Sequence, residues 1–326
     1  MRALRRHNQE LYIDPSAAMP LLGEGQALIR TTHVLIGEPD LGVAQGEIEH
    51  EGVLGHQFVG VVVECDTNSW VGKRVVGQID ISDPGSELAR RGLGTHDPQR
   101  EILGLRGRDG CLAEQFVLET RNLIELPGAI DDEHAALTLP LARAIHAGQV
   151  AHIEGRPFVS VLGDGLIGLL CAQVMTRKNA SVRLLSSRQD PLELCAKWGI
   201  KHRRLDQVGR RSDQDVVIET TGTADSFDNA IRMVRPLGTV VLAGQPVPTS
   251  SDTIAIDHAL IADKEIRIVG ARCGSLSESI RAMTSGEIDL SGLITKRFKF
   301  EDAIGALRCA QDPVNLGVLV VMDKAG

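Results

Sequence analysis

The chain is 326 residues long, 43% hydrophobic and 24% charged, with a formal net charge of -8 at pH 7. That length suits two domains that each bury a core, the composition excludes a mostly disordered chain, and the negative balance gives no general attraction to nucleic acid. Arg2, Arg5 and Arg6 lead into polar residues rather than an apolar signal core, and no apolar run approaches the roughly 20 residues that span a bilayer, so a soluble cytoplasmic protein with no membrane partner is expected.

The predicted elements begin with short β-rich runs at 27–30, 60–64, 74–77 and 114–118, separated by glycine turns, which predicts a small, partly antiparallel β domain. After Pro127-Gly128 the pattern lengthens, and one helix is predicted over 131–150 with Asp131 and Asp132 at its N-terminus. From residue 158 the order strand, turn, helix repeats. Strands are predicted at 158–162, 181–185, 215–219, 239–243 and 266–269, and helices at 165–178, 191–198 (closed by Gly199) and 224–234. That alternation implies right-handed crossovers and a parallel sheet. A helix at 301–309 and a strand at 317–322 return the chain to the first domain, giving expected boundaries of 1–128 with 271–326 and, between them, 129–270. The cysteines Cys65, Cys111, Cys171, Cys195, Cys273 and Cys309 form no CxxC pair and read as small buried hydrophobes.

The strand at 158–162 runs into Gly163-Asp164-Gly165-Leu166-Ile167-Gly168, a GxGxxG placed between strand and helix. In that setting Gly163 makes the tight turn, Gly165 admits a pyrophosphate close to the backbone, and Gly168 packs helix on strand, while the helix N-terminus faces the phosphates. The second strand ends in Ser186-Ser187-Arg188, where a site selective for NAD places an acid. Two hydroxyls and a guanidinium suit the 2′-phosphate of NADP; the same residues also read as a polar turn before the next helix. Thr221-Gly222 and Gly244-Gln245 follow later strands, where ligands of parallel sheets sit, and are candidate adenine-side and nicotinamide-side contacts.

With Val53-Leu54-Gly55-His56-Gln57-Phe58-Val59-Gly60, Asp109-Gly110, Ala113-Glu114, Arg235-Pro236-Leu237-Gly238-Thr239 and Gly270-Ala271-Arg272-Cys273-Gly274, the sequence resembles the zinc-type medium-chain dehydrogenase/reductase family over essentially its whole length. The resemblance implies an α/β fold: a GroES-like β domain plus a Rossmann doubly wound parallel-sheet domain, acting on a small-molecule substrate as a homodimer or homotetramer. Such relatives hold a catalytic Zn²⁺ with a Cys, the His of a Gly-His-Glu motif and a further acid or Cys. Alignment places these family positions at Gly37, His56, Gln57 and Leu139, with Pro39 at the proton-relay position and Asp40 after it. The four cysteines of the family's structural zinc lobe fall on Asp83, Ser86, Ala89 and Asp97, so that lobe is expected to rest on side-chain contacts such as Asp83 or Asp97 with Arg90, Arg91 or Arg100.

One imidazole does not hold zinc usefully, since even open catalytic sites use three protein ligands, and no metal is expected. The function this implies is a zinc-independent, NADP-dependent transfer of hydride between the nicotinamide and a small carbonyl, alcohol, quinone or activated alkene. His56 is the candidate general acid and Asp40 its orienting group; a relic histidine packed in the fold is the other reading. Two other functions stay open: a nucleotide-binding relative without turnover, acting as a redox sensor or partner protein, and a zinc alcohol dehydrogenase rescued by Asp40, Glu49 or His50.

Overall fold

A computed structural model describes residues 1–152, 155–188, 190–209, 211–244 and 256–322, without the side chains of 190–192. The chain divides into two compact units, Met1–Thr138 with Leu293–Gly326, and Leu139–Gly292. The first is a β unit. Its longest strand, Gln26–Ile36, pairs antiparallel with Phe58–Cys65, Gln115–Glu119 and Gly317–Val321. The last pairing returns the tail to this unit, with Val318 opposite Ile36 and Val321 opposite His33. Alternate residues of these strands point inward, and Ile29, Leu35, Val62, Leu118 and Leu319 are fully buried. Phe58 and Phe116 meet edge to face at 4.7 Å.

The second unit is built on six parallel strands in the order Lys201–Arg204, Ser181–Ser186, Phe158–Leu162, Gln214–Glu219, Val234–Leu242 and Arg267–Gly270. In chain order this is 3-2-1-4-5-6, the doubly wound arrangement whose order reverses between the first and fourth strands. Leu162, Leu185, Val217 and Val240 pack against Phe227, Ala230 and Ile231 of the helix Ala224–Met233. The strand Lys201–Arg204 escaped sequence reading because its residues are Lys-His-Arg-Arg; at a sheet edge, backbone pairing forms the ladder while charged side chains stay in water.

Three expectations are corrected. The helix over 131–150 is two helices, Asp132–Ala135 and Thr138–Val150. Pro140 has no N–H to donate to Ala136, so the ladder breaks there. The units also divide further along the chain than the glycine boundaries suggested. Residues 129–138 stay with the first unit, where Arg74 binds the Ile130 carbonyl at 2.7 Å and the Asp132 carboxylate. Residues 271–292 stay with the second, where Asp289 exchanges backbone hydrogen bonds with the Gln173 side chain (2.8 and 2.9 Å) and accepts one from Trp198 Nε1 at 2.7 Å. Finally, Cys273 and Cys309 are only half-buried, whereas the other four cysteines are buried, and burial pushes the Cys171 and Cys195 thiols up to about 12.

The lobe at the family's structural zinc position also differs from its forecast. Arg100 pairs with Asp80 (2.6 Å), not with Asp83 or Asp97, and gives its other contact to the Asp97 carbonyl at 2.9 Å. Ser86 caps the short helix Glu87–Arg90. The Ser86 hydroxyl and the Gln99 N–H hold the buried Asp97 carboxyl below the usual carboxylate range.

Candidate functional site

The GxGxxG turn lies at the carboxyl end of the first parallel strand, beside the end of the fourth. Gly163 has φ 113, a left-handed value that favours glycine, and a Cβ there would lie 2.4 Å from Thr220 Oγ1. Thr220 in turn donates to the Leu162 carbonyl at 2.7 Å, locking the two strand ends together. A Cβ on Gly168 would lie 2.2 Å from the Gly163 carbonyl, so helix and turn meet without a side chain between them. Gly165 is different. It is exposed, it begins the helix Leu166–Arg177, and a Cβ there would meet nothing within 4 Å. The amides of Leu166, Ile167 and Gly168 head a twelve-residue helix whose dipole favours an anion at that open place, so the turn fits the pyrophosphate of a dinucleotide.

Around this turn stand the other residues singled out by sequence. Ser186 is buried and Ser187 exposed, while Arg188 is half-buried. The strand end has no acid of its own, but the Asp164 carboxylate comes across from the glycine turn and bonds to Ser186 and Arg188. Burial pushes the Asp164 carboxyl up, but hydrogen bonds from Arg188 and Ser186 and the guanidinium charge outweigh it and hold it below the ordinary carboxylate range. Thr221 and Gly222 are fixed by Glu219, a buried carboxylate that sequence reading passed over: its Oε1 accepts from the Thr221 N–H and hydroxyl, both 2.6 Å, and from the Gly222 N–H at 3.1 Å. A Cβ on Gly244 would lie 2.4 Å from Gly222 N, so the loops after the fourth and fifth strands touch backbone to backbone. Gln245 lies outside the described residues.

In the first unit, the helix Glu38–Gln45 starts at Gly37, and Asp40 reaches back to accept from the Gly37 N–H at 2.9 Å. The other oxygen of the Asp40 carboxylate faces His56 Nδ1 at 3.0 Å, with both side chains buried. Sequence reading paired these two residues, and the structure brings them together. Asp40 fixes the proton on Nδ1, which leaves Nε2 facing Gln57 Nε2 at 3.2 Å as the acceptor. Gln57 Oε1 is buried and has no hydrogen-bond partner among the described residues.

Gln57 also fills space. A Cβ on Gly37 would lie 2.3 Å from Gln57 Nε2 and 2.9 Å from His56 Cε1, so the amide occupies the room that a ligand side chain at residue 37 would need. The donors do not fit a zinc ion: Gly37 offers none, both His56 nitrogens are engaged, and a carboxamide carries no charge to neutralise the metal. Of the rescue ligands, Asp40 is committed to His56 and Gly37, and His50 Nε2 lies 3.0 Å from the Val53 carbonyl. Among the described residues no three His, Cys, Asp or Glu side chains group as a metal site.

Comparison with known proteins agrees with this architecture. Residues 23–128 match the family model described as the alcohol dehydrogenase GroES-like domain, and 167–286 the one described as zinc-binding dehydrogenase. The chain is 28% identical over 295 residues to the D-xylulose reductase of Saccharomyces cerevisiae, covering 84% of this chain and 82% of that one. It is 28% identical over 308 residues to the L-threonine 3-dehydrogenase of Chelativorans, covering 87% and 88%. Among solved structures, one described as a zinc-binding dehydrogenase from Sinorhizobium meliloti, bound to NADP, superposes with a TM-score of 0.87 at 24% identity over 98% of both chains.

Proposed function

The chain belongs to the zinc-type medium-chain dehydrogenase/reductase family, and from that premise we propose that it is an NADP-dependent oxidoreductase of small carbonyl, alcohol, quinone or activated-alkene substrates that works without zinc, as a homodimer or homotetramer. The observation that carries this reading is the doubly wound sheet with an open, glycine-lined helix N-terminus at its switch point, beside Arg188. A bound nicotinamide supplies or takes the hydride. Gly163 to Gly168 receive the pyrophosphate, Arg188 the 2′-phosphate with Ser187 beside it, and Thr221, Gly222 and Gly244 line the remaining loops. NADP bound to the Sinorhizobium meliloti protein, and NADH bound to a dehydrogenase of the same fold from Escherichia coli, support a nicotinamide cofactor by likeness; the choice of NADP rests on Arg188.

The chain's own groups then handle the proton. Asp40 holds the Nδ1–H of His56 and stabilises the imidazolium formed when Nε2 takes a proton from water, with the Gln57 amide turned so that its Oε1 accepts from Nε2–H; that proton then passes to the oxygen left by hydride addition. Purified protein is mixed with NADPH and a panel of small aldehydes, ketones, quinones and enones, and nicotinamide oxidation is followed. Turnover of at least one class is expected, and His56→Ala lowers kcat by about a hundredfold or more. A kcat untouched by His56→Ala removes His56 from the chemistry.

A second reading has its own support: both His56 nitrogens are already satisfied within the fold, as they would be in a binding protein that senses NADPH without consuming it. Tight NADPH binding with no oxidation across the panel would select that reading.

A further inference from the structure

Arg188 is the guanidinium on which the cofactor choice rests, and it already holds an anion. Its Nε lies 3.1 Å from Asp164 Oδ2 and its Nη2 3.2 Å from Asp164 Oδ1, while Nη2 also donates to the Asp164 carbonyl at 3.0 Å. The Arg188 N–H reaches the same Oδ2 at 3.1 Å, and the Ser186 hydroxyl donates to it as well. One edge of a planar fork, a backbone amide and a hydroxyl converge on a single carboxylate, in a setting where the Asp164 and Arg188 side chains are only 15% and 19% exposed. That donor set is also what a phosphate monoester takes. Arg204, at the end of the neighbouring strand opposite Ser186, brings a second guanidinium to this end of the sheet and is paired with Asp206. Two anions do not share one fork in a half-buried site without strong repulsion. Among the described residues, the hydrogen bonds to the Asp164 carboxylate all come from Ser186 and Arg188, so rotation of one short side chain releases that edge of the fork, with Nη2 still held by the Asp164 carbonyl.

We infer that Asp164 is an internal occupant of the 2′-phosphate seat: NADP binds Arg188 by displacing the Asp164 carboxylate, and this one residue of the glycine turn sets how far the protein prefers NADP over NAD. The inference rests on the reading of Arg188 as the 2′-phosphate partner.

The test compares the full-length protein with Asp164→Asn, which keeps the shape and one acceptor but removes the charge. Affinities are measured calorimetrically for NADPH, NADH, adenosine 2′,5′-bisphosphate and adenosine 5′-monophosphate. Asp164→Asn strengthens binding of the two 2′-phosphorylated ligands, by about tenfold more than it changes binding of the other two. Unchanged or weaker binding of the 2′-phosphorylated ligands overturns the inference, and so does a selective loss of NADH binding, which would make Asp164 an acceptor for the ribose hydroxyls. Should Asp164→Asn fail to fold, Asp164→Ser gives the same readout. Arg188→Ala separates the two levels: if it leaves the ratio of NADPH to NADH affinity unchanged, the reading of Arg188 fails; if it narrows that ratio while Asp164→Asn changes nothing, only the role of Asp164 fails.

Discussion

A Cβ on Gly37 would press on the Gln57 amide and the His56 ring together, so residues 37 and 57 are coupled through space although twenty positions apart in sequence. Gly37→Ala therefore forces the amide away from His56 and costs about 1–2 kcal/mol in stability. In a Gln57→Ala background the cost falls but does not vanish, because the His56 ring still stands 2.9 Å from the added Cβ. Urea unfolding of the wild-type protein and the three variants checks this as a double-mutant cycle, and equal costs in both backgrounds would show that the two residues are independent. Sequence alignment alone could note that a ligand had become glycine and an acid had become glutamine. It could not show that one change makes room for the other, because the contact between them is set by the approach of the helix Glu38–Gln45 to the turn at 54–57. The same limit applied to Asp164, which stands in the glycine turn in plain view; only the pairing of the first two parallel strands brings its carboxylate to Arg188.

At the scale of elements, the lobe around Asp80 and Asp97 shows which of its charges matter. The Asp80 carboxylate is 1% exposed and faces Arg100 at 2.6 Å, so Arg100→Ala leaves a buried carboxylate without its guanidinium and is expected to cost about 3 kcal/mol. Arg91, 63% exposed and 3.6 Å from Glu87, is worth less than about 0.5 kcal/mol. Chemical denaturation of the two alanine variants distinguishes a lobe tied by one pair from one tied by many. The short helix Asp132–Ala135 has a pH signature. Hydrogen bonds from His33 first, opposed by burial and then reinforced by Arg74, lower the Asp132 carboxyl from 3.8 to about 2. Its folded value lies below its unfolded one, so the stabilisation is present above 3.8 and is lost as pH falls through about 2. Asp132→Asn should lose less stability than the wild-type protein over that acid window, as followed by thermal midpoints. A parallel slope in both would remove Asp132 as its source.

For the whole molecule, the cofactor and metal expectations meet in one measurement. NADPH at a hundredfold excess over its Kd should raise folding stability by about 2.7 kcal/mol, while dialysis against a chelator leaves both the thermal midpoint and NADPH affinity unchanged. One zinc per chain in the purified protein, with loss of stability on chelation, would overturn the zinc-free reading. Light scattering on the same sample reads the mass against the expected dimer or tetramer. No helix among the described residues is long and apolar enough to cross a membrane.

By itself the sequence determined the parallel sheet, the glycine turn at its switch point and the return of the tail to the β unit, since these follow from short-range patterns: apolar runs of strand length, glycine at tight turns, and alternation of strand with helix. The pairing of Asp40 with His56 was also within reach, through resemblance. The tertiary structure alone decided what surrounds them. A polar side chain's partner depends on which chain segments pack together, and neither charge nor spacing encodes that for Gln57 against Gly37, Glu219 beneath Thr221, or Arg100 with Asp80 in place of Asp97. The glycine turn was therefore legible as a candidate phosphate cradle, but not the fact that the guanidinium beside it already holds a carboxylate from within the turn itself.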